Sequence, residues 1–293
     1  MVVFYRRMPK FEYIKPGSIE DALNILKDND AGQFRVYAGG TDLMPKLKKR
    51  DIEVPKAVVD LKGLPNLDYI RYSEDEGLSI GALATVYGVS NSPLVKEKYP
   101  ALAQGAASIA SVHIQNRATI AGNICSASPS ADSAPSLLAM GAQLRCLSHA
   151  GERIVSLEDF FAGPTKNNLL SGEIVKEILL PPLKPGTKGV YLKLSPREKM
   201  DLALVGVAVV GRVEDSQARE IRISLGGVAP TPMRSVFAEA ELNDKVLDEQ
   251  SIKRAAEIAM GECSPSWRRA SVEYRCMMVE VLVKRGLQSL LAG

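Results

Sequence analysis

Two glycine-bearing stretches carry the residues best suited to chemistry in this chain. They are Ala38-Gly39-Gly40-Thr41-Asp42 and, about eighty residues later, Thr119-Ile120-Ala121-Gly122-Asn123, which runs on through Ser126, Ser128, Pro129 and Asp132. Glycine lets backbone N–H groups approach a phosphate closely, while neighbouring hydroxyls and carboxylates can meet sugar hydroxyls. Each stretch follows an apolar, β-rich approach, Phe34 to Tyr37 and Ile109 to Ile114, which puts it on the turn leaving a regular element. One such turn is ordinary in a folded protein. Two, each followed by hydroxyl or acidic groups, read as two walls of one nucleotide cradle.

The residues that would let the polypeptide do chemistry by itself are scarce. His113 and His149 stand in no metal-ligand spacing, and there is no Gly-x-Ser-x-Gly elbow, so no nucleophile and base pair presents itself and no catalytic or metal-binding side chain is assigned. A bound cofactor supplying the chemistry would explain this, leaving the protein to bind and orient it. The Gly-x-Gly-x-x-Gly and Gly-x4-Gly-Lys-Ser/Thr patterns are both missing, which disfavours a Rossmann site and a P-loop. Cys125, Cys146, Cys263 and Cys276 fall 21, 117 and 13 residues apart, matching neither zinc nor iron–sulfur spacing. A reducing cytoplasm is the simplest setting. Cys125 lies inside the second glycine stretch, either as a neighbour of the ligand or as a small apolar filler.

With 293 residues, 46% of them apolar and 24% charged, the chain can bury a sizeable core. A net charge of +3 is close to neutral, and the basic run Lys46, Lys48, Lys49, Arg50 lacks interleaved aromatics, so nucleic acid is not an expected partner. That run reads as a solvated helix face or as a cationic rim toward an acidic partner or a nucleotide phosphate. The longest apolar run, Leu202 to Gly211, is about half of the roughly 20 residues a membrane-spanning helix needs. Arg6, Arg7 and Lys10 open the chain without an apolar segment behind them, so neither membrane nor export is indicated.

Three modules should position these residues, in an α+β arrangement. In 1–61, Ser18 caps a helix to Lys27 that sets Ile19, Ala22, Leu23 and Leu26 on one face. Strands Phe34 to Ala38 and Ala57 to Leu61 enclose a helix over Leu43 to Lys49, predicting a small, partly parallel sheet. In 62–181, alternation from Leu67 through a turn at Asp75-Glu76-Gly77 predicts a hairpin. A helix broken at Pro100 should cover Leu94 to Ala110, Ser136 to Leu138 should run on into a buried strand ending at Leu147, and Ile154 to Phe161 should close the module. The breakers Pro181-Pro182 and Lys184-Pro185-Gly186 mark the next boundary. In 186–293, Tyr191 to Leu194, Ala203 to Val213 and Glu220 to Gly227 read as a three-stranded antiparallel sheet, and Ser235 to Leu242, Ser251 to Cys263 and Arg269 to Leu291 as a helical bundle.

The first stretch, together with Asn116-Arg117-Ala118-Thr119-Ile120-Ala121-Gly122-Asn123-Ile124 and Ala127-Ser128-Pro129-Ser130-Ala131-Asp132, resembles the two FAD-binding motifs of the molybdenum hydroxylases. The likeness is to their flavoprotein (medium) subunits, of the carbon monoxide dehydrogenase and xanthine dehydrogenase type. It extends over nearly the whole chain, including Gly172-Glu173-Ile174-Val175 and Tyr191-Leu192-Lys193-Leu194. It implies a two-part FAD-binding domain of the vanillyl-alcohol-oxidase type, followed by a C-terminal flavoprotein domain. It further implies that Val36, Tyr37, Ala38, Gly39, Gly40, Thr41, Asp42 and Leu43 wrap the FAD pyrophosphate and ribityl region. Thr119, Ala121, Gly122, Asn123, Ser126 and Asp132 would form the second wall, with Ile109, Val175 and Lys193 at the adenine or isoalloxazine end.

The same resemblance implies partners: a molybdopterin-binding large subunit that oxidises substrate, a [2Fe–2S] small subunit that passes electrons on, and NAD or a quinone-type acceptor. Ala121 stands where many relatives have glycine, which restricts that turn slightly. The cysteine-rich insertion that holds a [4Fe–4S] cluster in some relatives is missing, so no cluster is expected, and neither histidine lies in a glycine motif where it could attach flavin covalently. Two other readings stay open. One is a self-contained flavin dehydrogenase on the same fold, like the reductase that completes UDP-N-acetylmuramic acid; the other is an assembly subunit that has lost FAD.

Overall fold

The structure is a computed structural model and describes residues 7–27, 33–266 and 269–291. Arg6 lies outside the described residues. Strand β1 (Glu12–Ile14) is followed by helix α1 (Ile19–Leu26), β2 (Phe34–Tyr37), α2 (Leu43–Lys49) and β3 (Ala57–Asp60). The Ser18 hydroxyl caps α1 by accepting from the Asp21 N–H at 3.0 Å. The sheet order is β1-β3-β2, all parallel, and every residue of the central β3 is buried, which is why Ala57, Val58 and Val59 form one unbroken apolar run. Ala22 and Leu26 of α1 pack with Val59, Leu61, Leu67 and Ile174, joining this sheet to the next part of the chain.

The middle of the chain opens with the hairpin β4 (Ile70–Ser73) and β5 (Gly77–Gly81). Helices α3 (Val86–Asn91), α4 (Pro93–Lys98), α5 (Pro100–Ala107), α6 (Val112–Gln115), α7 (Ile120–Cys125) and α8 (Ser133–Ala139) follow. Strands β6 (Gln143–Ser148) and β7 (Gly151–Ser156) come next, then a one-turn helix α9 (Leu157–Phe160), the short pair β8 (Phe161–Gly163) and β9 (Lys166–Asn167), and β10 (Ile174–Leu180). The five-stranded antiparallel sheet runs β4-β5-β10-β6-β7. Leu78, Ile80, Leu144 and Ile178 from this sheet meet Leu102, Ile120, Ile124 and Leu137 from the helices in the largest core.

Several expectations need correction here. Ile109 to Ile114, β-rich in residue type, is not extended and runs into a helix. Ser111 caps α6 instead, and the Gln115 amide donates to the Ala107 and Ile109 carbonyls at 3.0 and 2.8 Å, holding the preceding loop as a side-chain-tied turn. Ser136 to Leu138 belong to α8 rather than to a strand, because Ser136 turns inward and donates to the Ala101 carbonyl at 2.8 Å. The segment from Ile154 leaves its strand at Ser156, whose hydroxyl accepts from the Glu158 N–H and starts α9. Helix α3, which no expectation covered, is capped by Thr85.

The C-terminal part is built from β11 (Lys188–Leu194), β12 (Val205–Glu214), β13 (Gln217–Gly226) and β14 (Met233–Arg234), with helices α10 (Val236–Leu242), α11 (Glu249–Gly261) and α12 (Val272–Leu291). The sheet order is β11-β12-β13-β14, so the two-residue β14 adds a short edge to the three expected strands. Val205, Val207 and Val209 pack with Ile223 and Leu225 against Ile252, Ala255, Val279, Val283 and Leu287. The opposite face of β11 and β12 lies on α5 and α8, contributing Tyr191, Ala208 and Val210 to the middle core.

Candidate functional site

A cleft of about 570 Å³ opens where the three parts meet, within the usual range of roughly 300–1,000 Å³ for small-molecule sites. Its first wall is the β2–α2 loop, its second the segment from Ala118 to Asp132, and its ends are closed by Leu169 and Val175 on one side and by Met200 to Leu202 on the other.

The first wall is shaped by two glycines. A Cβ on Gly39 would lie 2.1 Å from the Arg117 carbonyl oxygen and 2.8 Å from the Ala118 Cα, so only glycine lets the two sequence stretches touch. Gly40 has φ +72°, and a Cβ there would run into the Tyr37 ring. Among the described residues the N–H groups of Gly39, Gly40, Thr41 and Asp42 have no acceptor, although the Gly40 and Asp42 carbonyls accept from α2. Tyr37 is held from behind by Lys62, whose Nζ stands 3.4 Å from the ring centroid. The Asp42 carboxylate takes the Lys46 ammonium at 2.6 Å, so this part of the basic run is neutralised within its own helix.

The second wall is pinned by Val86, whose N–H donates to the Ala118 carbonyl at 2.8 Å. Thr119 then caps α7, its hydroxyl accepting from the Gly122 N–H at 3.0 Å. That N–H is therefore spent on the cap, and the glycine's value lies in its small bulk beside the Thr119 hydroxyl. Asn123 accepts from the Ser133 hydroxyl at 2.7 Å, and the Ser126 hydroxyl donates back to the Gly122 carbonyl at 3.0 Å. Ser128 and Ser130 line the same wall with hydroxyls that have no partner among the described residues.

At the deep end, Asp132 is 6% exposed and joins β11. It accepts from the Tyr191 hydroxyl at 2.8 Å and from the Lys193 ammonium at 2.8 Å. Lys193 also donates to the carbonyls of Ser108 at 3.0 Å and Asp201 at 2.8 Å, which saturates its three donors. Burial pushes the Asp132 carboxyl upward, against the opposing pull of Lys193 and Tyr191, and pushes the Tyr191 hydroxyl well above its usual value. Beside Val175, the Arg153 fork holds Glu173 at 2.6 and 2.8 Å. Burial alone would raise the Glu173 carboxyl, but this fork and the Leu170 N–H bring it below the ordinary range. Cys125 also lines the cleft, and burial, with a smaller push from Cys146, raises its thiol to about 12.

Of the residues singled out from sequence, Val36, Tyr37, Ala38, Gly39, Gly40, Thr41, Asp42, Leu43, Ile109, Thr119, Ala121, Gly122, Asn123, Ser126, Asp132 and Val175 all line this one cleft. Lys193 does not; it stands behind Asp132 as a strut. Met200, Asp201, Leu202 and Leu169 were not anticipated, since they lie in no motif and reach the cleft only through tertiary packing; Glu173 stands in the Gly172-Glu173-Ile174-Val175 segment but was given no role. The left-handed backbone at Ala110 and Met200, φ +47° and +57°, marks two places where the rim is strained.

Residues 9–183 match the family described as the FAD binding domain in molybdopterin dehydrogenase, and residues 190–290 match the CO dehydrogenase flavoprotein C-terminal domain. The chain is similar to the xanthine dehydrogenase FAD-binding subunit of Escherichia coli O157:H7, 32% identical over 284 residues that cover 96% of both proteins. It is 33% identical over 284 residues to the carbon monoxide dehydrogenase medium chain of Hydrogenophaga pseudoflava, covering 96% of this chain and 97% of that one. A solved structure of carbon monoxide dehydrogenase from Hydrogenophaga pseudoflava, in a form lacking the Mo-pyranopterin moiety, contains a chain that superposes with a TM-score of 0.93 at 32% identity, covering 98% of this chain and 99% of that one. The chain thus belongs to the FAD-binding medium subunits of the molybdenum hydroxylase family, oxidoreductases of the xanthine and carbon monoxide dehydrogenase type.

Proposed function

We propose that this chain holds FAD noncovalently in the cleft between its two glycine stretches and relays electrons within a multi-subunit enzyme. The observation that carries the reading is the first wall: four consecutive N–H groups, Gly39 to Asp42, stand without acceptors among the described residues, beside a glycine on which no Cβ fits. Such a cradle suits the oxygens of a pyrophosphate and needs no metal. The free hydroxyls of Thr41, Ser128 and Ser130 suit the many hydroxyls of a ribityl chain and ribose, and Ile109, Val175 and Leu202 offer apolar surface for flat rings. When bound, FAD would supply the exchange between one-electron and two-electron transfer.

The protein's own residues would bind, orient and exclude water. Asp132 and Lys193 would set the polarity of the deep end while tying β11 to the second wall. The raised Cys125 thiol offers no nucleophile for covalent attachment of the cofactor. Electrons would arrive from the [2Fe–2S] clusters of a small subunit, after substrate oxidation on a molybdopterin-binding large subunit, and leave to NAD or a quinone-type acceptor. Support comes from the medium-chain relatives and from the lack of a base and nucleophile pair among the cleft residues. The division into 1–61, 62–181 and 186–293 assigns the two walls to the first two modules and the Lys193 strut to the third. The four free cysteines fit a reducing, cytoplasmic setting. Among the described residues, no helix is long and apolar enough to cross a membrane.

The test is substrate-driven reduction of the assembled complex carrying Gly39→Val. Retained iron–sulfur reduction with loss of flavin signal and of acceptor reduction is the expected result. Undiminished acceptor reduction without flavin would refute the relay.

A further inference from the structure

A second cavity, of about 590 Å³, shares no lining residue with the first cleft and lies between the end of α8, the 181–187 linker and β12–β13. Lys184, Arg212, Arg219, Arg222 and Arg234 line it, against Glu220, Glu239 and Asp244. Charge is distributed unevenly by depth. The guanidinium side chains of Arg212 and Arg234 are only 14% and 21% exposed, whereas the carboxylates of Glu220 and Asp244 are 51% and 75% exposed. Arg212 and Lys184 pair with Glu220, Arg212 also reaches Glu214, Arg219 pairs with Asp244, and Arg234 reaches Glu158. These acids lie toward the rim, where water screens them. Glu239 is the one buried acid of the lining, and its oxygens are taken by Arg234 and by the Ile223 N–H.

Two donors are left over. Among the described residues the Arg222 side chain has no hydrogen-bond or ion-pair partner, and Arg212 keeps its Nε buried without an acceptor. The Arg222 guanidinium is seated against Gly141, where a Cβ would lie 2.7 Å from its Nη1, so the glycine makes room for it. The strand pair bulges between Val210 and Arg212, and Glu220 adopts φ +51°, a costly conformation for a non-glycine residue. With the other cations of the lining paired to acids, the unused Arg222 fork, the buried Arg212 Nε and the distorted strand pair together describe an oxyanion receptor.

We propose that this cavity binds a phosphate group, with Arg222 as its principal ligand. The inference is independent of what occupies the first cleft. Calorimetric titration of the full-length, FAD-saturated chain with inorganic phosphate, at ionic strength held constant with chloride, should show saturable binding. Arg222→Ala should weaken it at least tenfold, and Arg222→Lys should weaken it less. Thr187→Glu, which puts a negative charge on the cavity wall without touching Arg222, should also weaken it at least tenfold. Flavin content and melting temperature in chloride should stay as in the parent, since Arg222 holds nothing else. A parallel titration with AMP separates the sources: tighter binding than phosphate assigns the site to a phosphate ester, and equal or weaker binding assigns it to free phosphate. Absence of phosphate heat beyond the chloride control, or full binding by Arg222→Ala, would overturn the proposal.

Discussion

Lys193 and Asp132 meet at 2.8 Å across the junction between β11 and the second wall of the cleft, with side chains only 10% and 7% exposed. The ammonium is saturated by Asp132 and two carbonyls, so its place is structural as well as electrostatic: it fixes Ser108 and Asp201 on either side of the deep end. Removing one member of such a buried pair strands the other charge, at a cost of about 3–5 kcal/mol. Asp132→Asn and Lys193→Met should each lower the unfolding free energy read from urea titration by that order, and the double variant should lose less than the sum. Additive losses in the double-mutant cycle would show that the two do not act as a pair.

Gly39→Val tests the contact between the walls. Its side chain would meet the Arg117 carbonyl, a backbone atom that cannot swing aside. Overpacking of this kind costs about 1–3 kcal/mol, and here the strain falls on the cradle. The purified variant should carry less than a tenth of the parent's flavin per chain, while circular dichroism stays near that of the parent. Normal flavin content would mean that the walls can part without harm.

Acid should loosen the Val175 side of the cleft. The Glu173 carboxyl sits below its ordinary range when folded, so its ion pair contributes stability that is present above the unfolded value and lost as pH falls through the folded one. Asp132 has the opposite sign: its raised carboxyl favours the folded state at low pH and costs stability as pH rises. Below about pH 4, in the range where free carboxylates take up protons, the parent should lose melting temperature faster than Glu173→Gln. Parallel curves for the two proteins would remove Glu173 from the acid response.

With its thiol near 12, Cys125 should be alkylated slowly. At pH 8 its thiolate fraction is smaller than that of an ordinary thiol by roughly a thousandfold, so iodoacetamide should modify it slower by that order. Peptide mapping by mass spectrometry reads this directly. Labelling at the rate of a free thiol would show that the cleft is wetter than its packing implies.

The glycine stretches were legible because their constraint is local: residue type, spacing and neighbouring hydroxyls survive in the one-dimensional pattern. The helix over Ile19–Leu26 and the strand β3 were legible for the same reason, one having a cap and the other an unbroken apolar run. Ile109 to Ile114 misled because Ile109, Ala110 and Ile114 reach the core from a tied loop and a four-residue helix, too short to show a period, while Val112 is exposed. Ser136 misled because a serine that hydrogen-bonds inward looks polar in sequence and is buried in the fold. Met200 to Leu202 could not have been found, since their arrival at the cleft depends on the Lys193 and Arg269 contacts to Asp201 and Leu202. Lys193 itself is the reverse case: the motif pointed to it, and the fold puts it one layer behind the cleft wall.

Titration of the isolated full-length apo chain with FAD, followed by acid precipitation, tests the central claim most directly. Saturation at one FAD per chain, a melting temperature that rises with free FAD as mass action requires, and complete release of flavin into the acid supernatant are the predicted results. A melting temperature indifferent to FAD, or flavin that stays with the precipitated polypeptide, would contradict a noncovalent FAD site between the two glycine stretches.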